Sequence, residues 1–147
     1  MLKKILVALD GSERAAGVLR TACEVAERFD AELCLLRVIL IPPEFPAAAH
    51  AVVPDTLPTL MTAEAERGLD ELVARVPAAR SARRLVESGQ PWRVILDTAA
   101  RLDVDLIALG SHGYGGIDRL IGTTAAKVAN HADRNVLVVH EHRAPKP

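Results

Sequence analysis

A chain of 147 residues, half of them apolar, has material for one domain, and a domain of this size buries about 70% of the surface its unfolded chain exposes without needing a staple. A formal charge of -1 and 3% aromatic residues leave neither a basic footprint for a phosphate backbone nor rings for unpaired bases to stack on, so nucleic acid is excluded as the expected partner. No stretch approaches the roughly 18 apolar residues of a membrane span, and the apolar run of MLKKILVALDG stops at Asp10, short of a secretory core of about 7 to 15 residues; a soluble cytoplasmic protein without a membrane partner is expected.

Ile5 to Leu9 is almost wholly apolar and predicts a buried strand, and Asp10-Gly11-Ser12 predicts a helix start with Ser12 at the N-cap. Ala15, Leu19, Ala22, Ala26 and Phe29 then recur at helical spacing, with Glu13, Arg20, Glu24 and Arg28 opposite, so a helix runs to Phe29 and Glu24 and Arg28 form a surface pair on it. Leu33 to Ile39, LCLLRVI, is the second strand. The segment 41–58, IPPEFPAAAHAVVPDTLP, holds five of the nine prolines and reads as a lid, a binding loop or a floppy insertion. Ala65, Leu69, Leu72 and Val76 mark a second helix that Pro77 ends.

Arg83 to Glu87 is a more polar third strand, placed toward a sheet edge. Gln90-Pro91-Trp92 opens a third helix, with Val94, Ile95, Ala99 and Leu102 inward and Trp92 as a packing residue. Val104 to Leu109 is the fourth strand and delivers the chain into GSHGYGGIDRLIGTT, five glycines in fifteen residues. Ala125, Val128, Ala129 and Ala132 mark a fourth helix, Val136 to Val139 a fifth strand, and 141–147 a frayed tail. Cys23 and Cys34 fall inside apolar periodic segments and read as buried free thiols, which suits a reducing compartment.

Strand and helix alternate throughout, which predicts an α/β fold: an open, doubly wound, five-stranded parallel sheet in order 3-2-1-4-5 with helices on both faces. Such a sheet binds ligands beyond the carboxyl ends of its strands at the topological switch point. With the first and fourth strands flanking that point, Asp10 and Gly110 meet at its mouth.

The glycine loop is neither standard phosphate loop. A Walker A motif needs Gly-Lys-Ser or Gly-Lys-Thr, which the chain lacks, and the G-x-G-x-x-G that Gly113 and Gly115 begin would need its third glycine where Asp118 stands. What remains is a glycine-rich turn entering a helix N-terminus at Gly122-Thr123-Thr124. Unpaired N–H groups and the helix dipole make such a place receptive to anions, and the threonine hydroxyls can hydrogen-bond a phosphate or meet a phosphate-bound metal. The alternative is structural: Gly122 enables a turn and the threonines cap the helix.

KKILVALDGS, LLRVI and DLIALGSHGYGGIDRLIGTTAAKVANHADRNVLVV, in this order and spanning nearly the whole chain, resemble the universal stress protein family. Its nucleotide-binding branch carries Gly-x2-Gly-x9-Gly-[Ser/Thr] after the fourth strand. Here Gly110-x2-Gly113 is followed by Gly122-Thr123 with eight intervening residues, one fewer. The resemblance implies a dimeric, non-catalytic stress-response module that binds ATP, or AMP or ADP, with Mg²⁺ as a possible companion. Position by position it implies that Gly110 and Gly113 face ribose and phosphates, and that Gly122, Thr123 and Thr124 contact phosphates. Asp10 would accept from ribose hydroxyls or assist a metal, and Ala8 and Val38 would border adenine. It also implies a homodimer through Val136, Leu137, Val138 and Val139, and a further protein partner that the sequence does not name. Two other classes stay open: a slow Mg²⁺-dependent ATP hydrolase, and a dimeric interaction module that binds no nucleotide.

His112, inside the glycine loop, reads as a hydrogen-bonding loop residue, since no Ser-His-Asp or Cys-His set can be assembled around it. His131, His140 and His142 cluster in sequence without metal-site spacing. Asp118 and Arg119 read as a solvated pair.

Overall fold

The computed structural model describes residues 1–40, 56–111 and 122–141. Strands and helices alternate as β1 (Lys4–Leu9), α1 (Ala15–Phe29), β2 (Glu32–Ile39), α2 (Thr56–Arg75), a short 3₁₀ turn (Pro77–Ala79), β3 (Arg83–Ser88), α3 (Pro91–Leu102), β4 (Leu106–Gly110), α4 (Thr123–His131) and β5 (Asn135–Val139). The five strands form one parallel sheet in the order β3-β2-β1-β4-β5, as the alternation predicts.

The central strands are apolar on both faces because each face is covered by helices. On one side Ile5, Val7 and Leu9 of β1, Leu35 of β2, and Leu106 and Ala108 of β4 pack against α1 and α2. On the other side Leu6, Leu36, Ile107 and Leu109 meet Ile95 and Ala99 of α3 and Ala125 and Val128 of α4. Ile5, Leu6, Leu19, Leu35, Leu36 and Ile107 are fully buried, each contributing about 2 kcal/mol of transfer free energy. Cys23 and Cys34 are buried free thiols, and burial raises the pKa of both.

The bottom of the sheet is tied by polar groups at strand starts. The Asp105 carboxylate accepts the backbone N–H groups of Lys3 and Lys4 at 2.8 and 2.9 Å. Arg134 donates through Nη1 to the carbonyls of Ala99 and Val104 at 2.9 and 3.0 Å. α1 and α3 both end on an aspartate in the left-handed conformation, Asp30 and Asp103, whose N–H groups turn back to the last helical carbonyls.

Several boundaries differ from the sequence reading. α2 already includes Thr56 to Pro58, because proline is tolerated in a first helical turn; the rest of the proline-rich segment, 41–55, lies outside the described residues. β4 starts at Leu106 rather than Val104, because the N–H of Val104 still turns back to the carbonyl of Ala99 at the end of α3. Phe29 is 52% exposed, and the buried stripe of α1 ends at Ala26. Ala129 is exposed and only Ala125 and Val128 carry the buried stripe of α4. Glu24 and Arg28 are both exposed and make no ion pair among the described residues. The tail is anchored at its first residue, where Glu141 pairs with Arg14 at 3.3 Å; 142–147 lie outside the described residues.

Candidate functional site

β1 sends its chain to α1 on one face, while its neighbour β4 leads to α4 on the other. Their carboxyl ends diverge, and a cavity of about 380 Å³ opens there. Its walls include Ala8 and Asp10 from the end of β1, Val38 from β2, Gly110 from β4 and Thr124 from α4. Five residues singled out from the sequence are thereby brought together. Gly122 and Thr123 stand beside Thr124 in the first turn of α4 but do not border the cavity, and Gly113 lies outside the described residues.

Asp10 is exposed and organises the first loop. Its Oδ1 accepts the N–H and the hydroxyl of Ser12 at 3.0 and 2.6 Å. Ser12 is therefore committed to an Asx-type turn and is not the N-cap of α1: Arg14 occupies that position, and no side chain caps the helix there. α1 therefore starts two residues later than a cap at Ser12 predicts.

At the other loop, Gly122 is the N-cap of α4 and its carbonyl accepts the first helical bond, from the N–H of Ala126 at 2.9 Å. The threonines do not cap the helix, because they follow the cap position and the cap itself is a glycine. The N–H groups of Thr123, Thr124 and Ala125 precede the first intrahelical bond and form the positive end of the helix. Two further bonds fix this terminus: Ser111 donates its N–H to the carbonyl of Val139 at 2.9 Å and accepts the N–H of Gly122 at 2.6 Å.

Gly110 serves packing as well as openness. A Cβ there would lie 3.2 Å from Cγ2 of Val18 on α1, which is itself a wall of the cavity, so the close approach of β4 to the helix asks for a glycine at this border.

Sequence reasoning missed several walls. Pro91 and Ile95 of α3 contribute an apolar side, and His140 and the Arg14–Glu141 pair close another. Most consequential is Arg37, the single charged residue in LLRVI near the end of β2, which lines the cavity with a buried Nε that has no hydrogen-bond partner. The signal was available: one cation within an apolar run, on a strand beside the switch point.

The remaining candidates resolve differently. Trp92 packs on the ring of His131, centroids 5.0 Å apart, with Lys127 and Arg93 near its faces. His131 Nδ1 lies 2.8 Å from the carbonyl of Lys127, a bond that ends α4. No group of three or more metal-ligating side chains occurs among the described residues. His112, Asp118, Arg119 and His142 lie outside them. No helix among them is long and apolar enough to cross a membrane.

Comparison with known proteins agrees with this architecture. The Universal stress protein family model matches residues 1–140. Universal stress protein A homolog 1 of Coxiella burnetii is 33% identical over 138 residues, covering 93% of this chain and 95% of that protein. The structure of universal stress protein UspA from Lactobacillus plantarum superposes with a TM-score of 0.79 at 29% identity, over 93% of this chain and 97% of that one. A universal stress protein solved in complex with cAMP shares the fold, with a TM-score of 0.65 at 24% identity over 95% and 97% of the two chains. With its sheet order, its switch-point cavity and a family match over nearly its whole length, the chain belongs to the universal stress protein family.

Proposed function

We propose that this chain is a non-catalytic stress-response module that binds an adenine nucleotide, ATP or AMP, in the cavity beyond β1, β2 and β4. The observation that carries the reading is the convergence of Ala8, Asp10, Val38, Gly110 and Thr124 on one space of about 380 Å³, within the range of about 300 to 1,000 Å³ typical of small-molecule sites. Ala8 and Val38 supply an apolar slot beside Pro91 and Ile95 suited to a purine. Asp10 keeps Oδ2 available for ribose hydroxyls or for a phosphate-bound Mg²⁺, since among the described residues its bonds, both from Ser12, use Oδ1 only. The uncapped start of α4 presents N–H groups and the Thr124 hydroxyl to phosphate.

The module acts as a homodimer through β5. That strand is a sheet edge whose Val136, Leu137, Val138 and Val139 are only half-buried in the single chain, and an unpaired apolar edge favours addition of a second strand. Its buried reduced thiols suit the cytoplasm.

The test is calorimetric titration of nucleotide-stripped protein with ATP and Mg²⁺, beside Val38→Trp, which fills the apolar slot. Binding in the wild type that disappears in the folded variant is the expected result. Saturation should also raise the melting temperature, because ligand at a hundred times its dissociation constant adds about 2.7 kcal/mol. No binding of ATP, ADP or AMP by folded wild type would refute the reading and favour a dimeric interaction module. Turnover that Asp10→Ala abolishes while binding persists would make the chain a hydrolase instead.

A further inference from the structure

Arg37 is out of place by every rule that governs the rest of β2. It pairs with Leu9 of β1 and Val86 of β3 in the middle of the sheet, and its side chain leaves on the face of α1 and α2, as Leu35 does two residues earlier. There the guanidinium lies against Gly11: a Cβ at that glycine would stand 2.8 Å from Nη2 and 2.9 Å from Nη1. The absence of a side chain at position 11 is what leaves the guanidinium its space at the end of β1, on the wall of the cavity.

Among the described residues its guanidinium makes no hydrogen bond or ion pair. Nε is buried without a partner, and among the described residues no carboxylate pairs with the group. Arg14 on the same cavity, by contrast, is engaged by Glu141. A buried unsatisfied donor is rare in a folded protein and calls for an acceptor supplied from elsewhere. The planar fork of a guanidinium matches the oxygens of a phosphoryl group better than any other side chain.

We propose that Arg37 takes phosphoryl oxygens of the ligand, so that the cavity selects phosphorylated nucleotides over the parent nucleoside. This rests on the nucleotide reading above and adds a charge-reading residue to it. Arg37 approaches from β2, opposite the N–H groups of α4, and the two together hold the phosphates from both sides of the mouth.

The experiment titrates wild type, Arg37→Met, Arg37→Lys and Gly11→Ala with ATP, AMP, adenosine and inorganic tripolyphosphate, and records the melting temperature of each ligand-free protein. Arg37→Met should lose about tenfold to a hundredfold in ATP affinity, the range of a charge-assisted hydrogen bond. Its affinity for adenosine should change by less than about twofold, and Arg37→Lys should recover part of the loss. Gly11→Ala, which displaces the guanidinium while retaining it, should move ATP affinity in the same direction. Ligand-free Arg37→Met should melt at or above the wild-type temperature, because a half-buried cation whose Nε is buried without a partner has no pairing energy to lose.

An unchanged ATP-to-adenosine preference in Arg37→Met overturns the proposal. A lower melting temperature with an unchanged preference in all variants assigns Arg37 to packing alone. Should Arg37→Met fail to fold, Arg37→Lys and Gly11→Ala decide by the same ratio. Wild type that binds tripolyphosphate through Arg37 but no adenine compound would remove the nucleotide reading and leave the phosphate role standing. Wild type that binds neither removes both.

Discussion

Replacing Gly110 by alanine separates two reasons for a glycine at the end of β4. In the structure the new Cβ would meet Cγ2 of Val18 at 3.2 Å, some tenths of an ångström inside ordinary contact, and Val18 is buried on α1. Overpacking of this kind costs about 1 to 3 kcal/mol. Gly110 is not in the left-handed region, so alanine also restricts the unfolded chain, a stabilising effect of about 0.4 to 1 kcal/mol. The net expectation is a loss of about 1 kcal/mol, or about 3 °C in melting temperature for a domain of this size. In a Val18→Ala background the overlap vanishes and only the entropic gain remains, so the same substitution should stabilise by about 0.5 kcal/mol. Urea unfolding of the four proteins closes the cycle. Nucleotide affinity should change by less than about fivefold, because the added methyl is directed at Val18, whose side chain already occupies that part of the wall. The same sign in both backgrounds, or intact stability with affinity lowered more than about fivefold, would refute the packing argument and put the glycine at the ligand.

The Asp105 carboxyl is held below the usual carboxylate range by the N–H groups of Lys3 and then Lys4. A carboxylate with a depressed folded-state pKa stabilises above its unfolded value near 3.9, and the contribution is lost as pH falls through the folded value. Asp105→Asn should therefore be less stable than wild type at neutral pH, and the gap should narrow in acid; melting curves from pH 7 to pH 3 check this. For the proposed dimer, the carbonyl of Val139 faces β4, where it accepts the N–H of Ser111, so the N–H of Val138 points away from the sheet along the free edge. Val138→Pro removes that outward donor without breaking the β4 ladder, and light scattering at low micromolar concentration should show a shift toward monomer. An unchanged dimer would place the interface elsewhere.

The parts of the fold legible in the sequence were those where one property dominates. Ile5 to Leu9 and Leu33 to Ile39 are apolar because both faces of a central parallel strand are covered, and alternation with amphipathic helices then dictated a doubly wound sheet. The switch point followed from that topology, which is why Ala8, Asp10, Val38, Gly110 and Thr124 meet. What escaped depended on competition between local bonds. Ser12 is a good N-cap residue by type, yet two bonds to Asp10 draw it into the preceding turn. The threonines after Gly122 are capping residues by type, but the backbone places them one and two positions too late. Arg37 stood out in the sequence as one cation in an apolar run, but the room that Gly11 leaves for its guanidinium shows only in the fold.

The glycine loop itself is one residue shorter than the family's nucleotide-binding pattern, and the bonds at its two ends bear on how that difference acts on the proposed site. Gly122, the N-cap of α4, is held to the end of β4 by the 2.6 Å bond from its N–H to the carbonyl of Ser111, and Ser111 is in turn bonded to Val139 of β5. The helix start is thus tied to the end of β4 by a backbone bond between the two ends of the loop. Shortening a loop of about ten residues by one changes its closure entropy by only about 0.1 kcal/mol, and Thr124 still reaches the cavity that Gly110 borders. The bond is testable in isolation. Gly122 has φ -59 and ψ 157, values that proline adopts readily, so Gly122→Pro deletes the N–H while keeping the backbone path, and Gly122→Ala adds a methyl while keeping the N–H. Nucleotide affinity should fall in the proline variant and persist in the alanine variant, with both helices intact by circular dichroism. Equal affinity in the two would mean that the helix start is positioned by packing of Ala125 and Val128 alone, and that the length of the loop has to be absorbed in some other way.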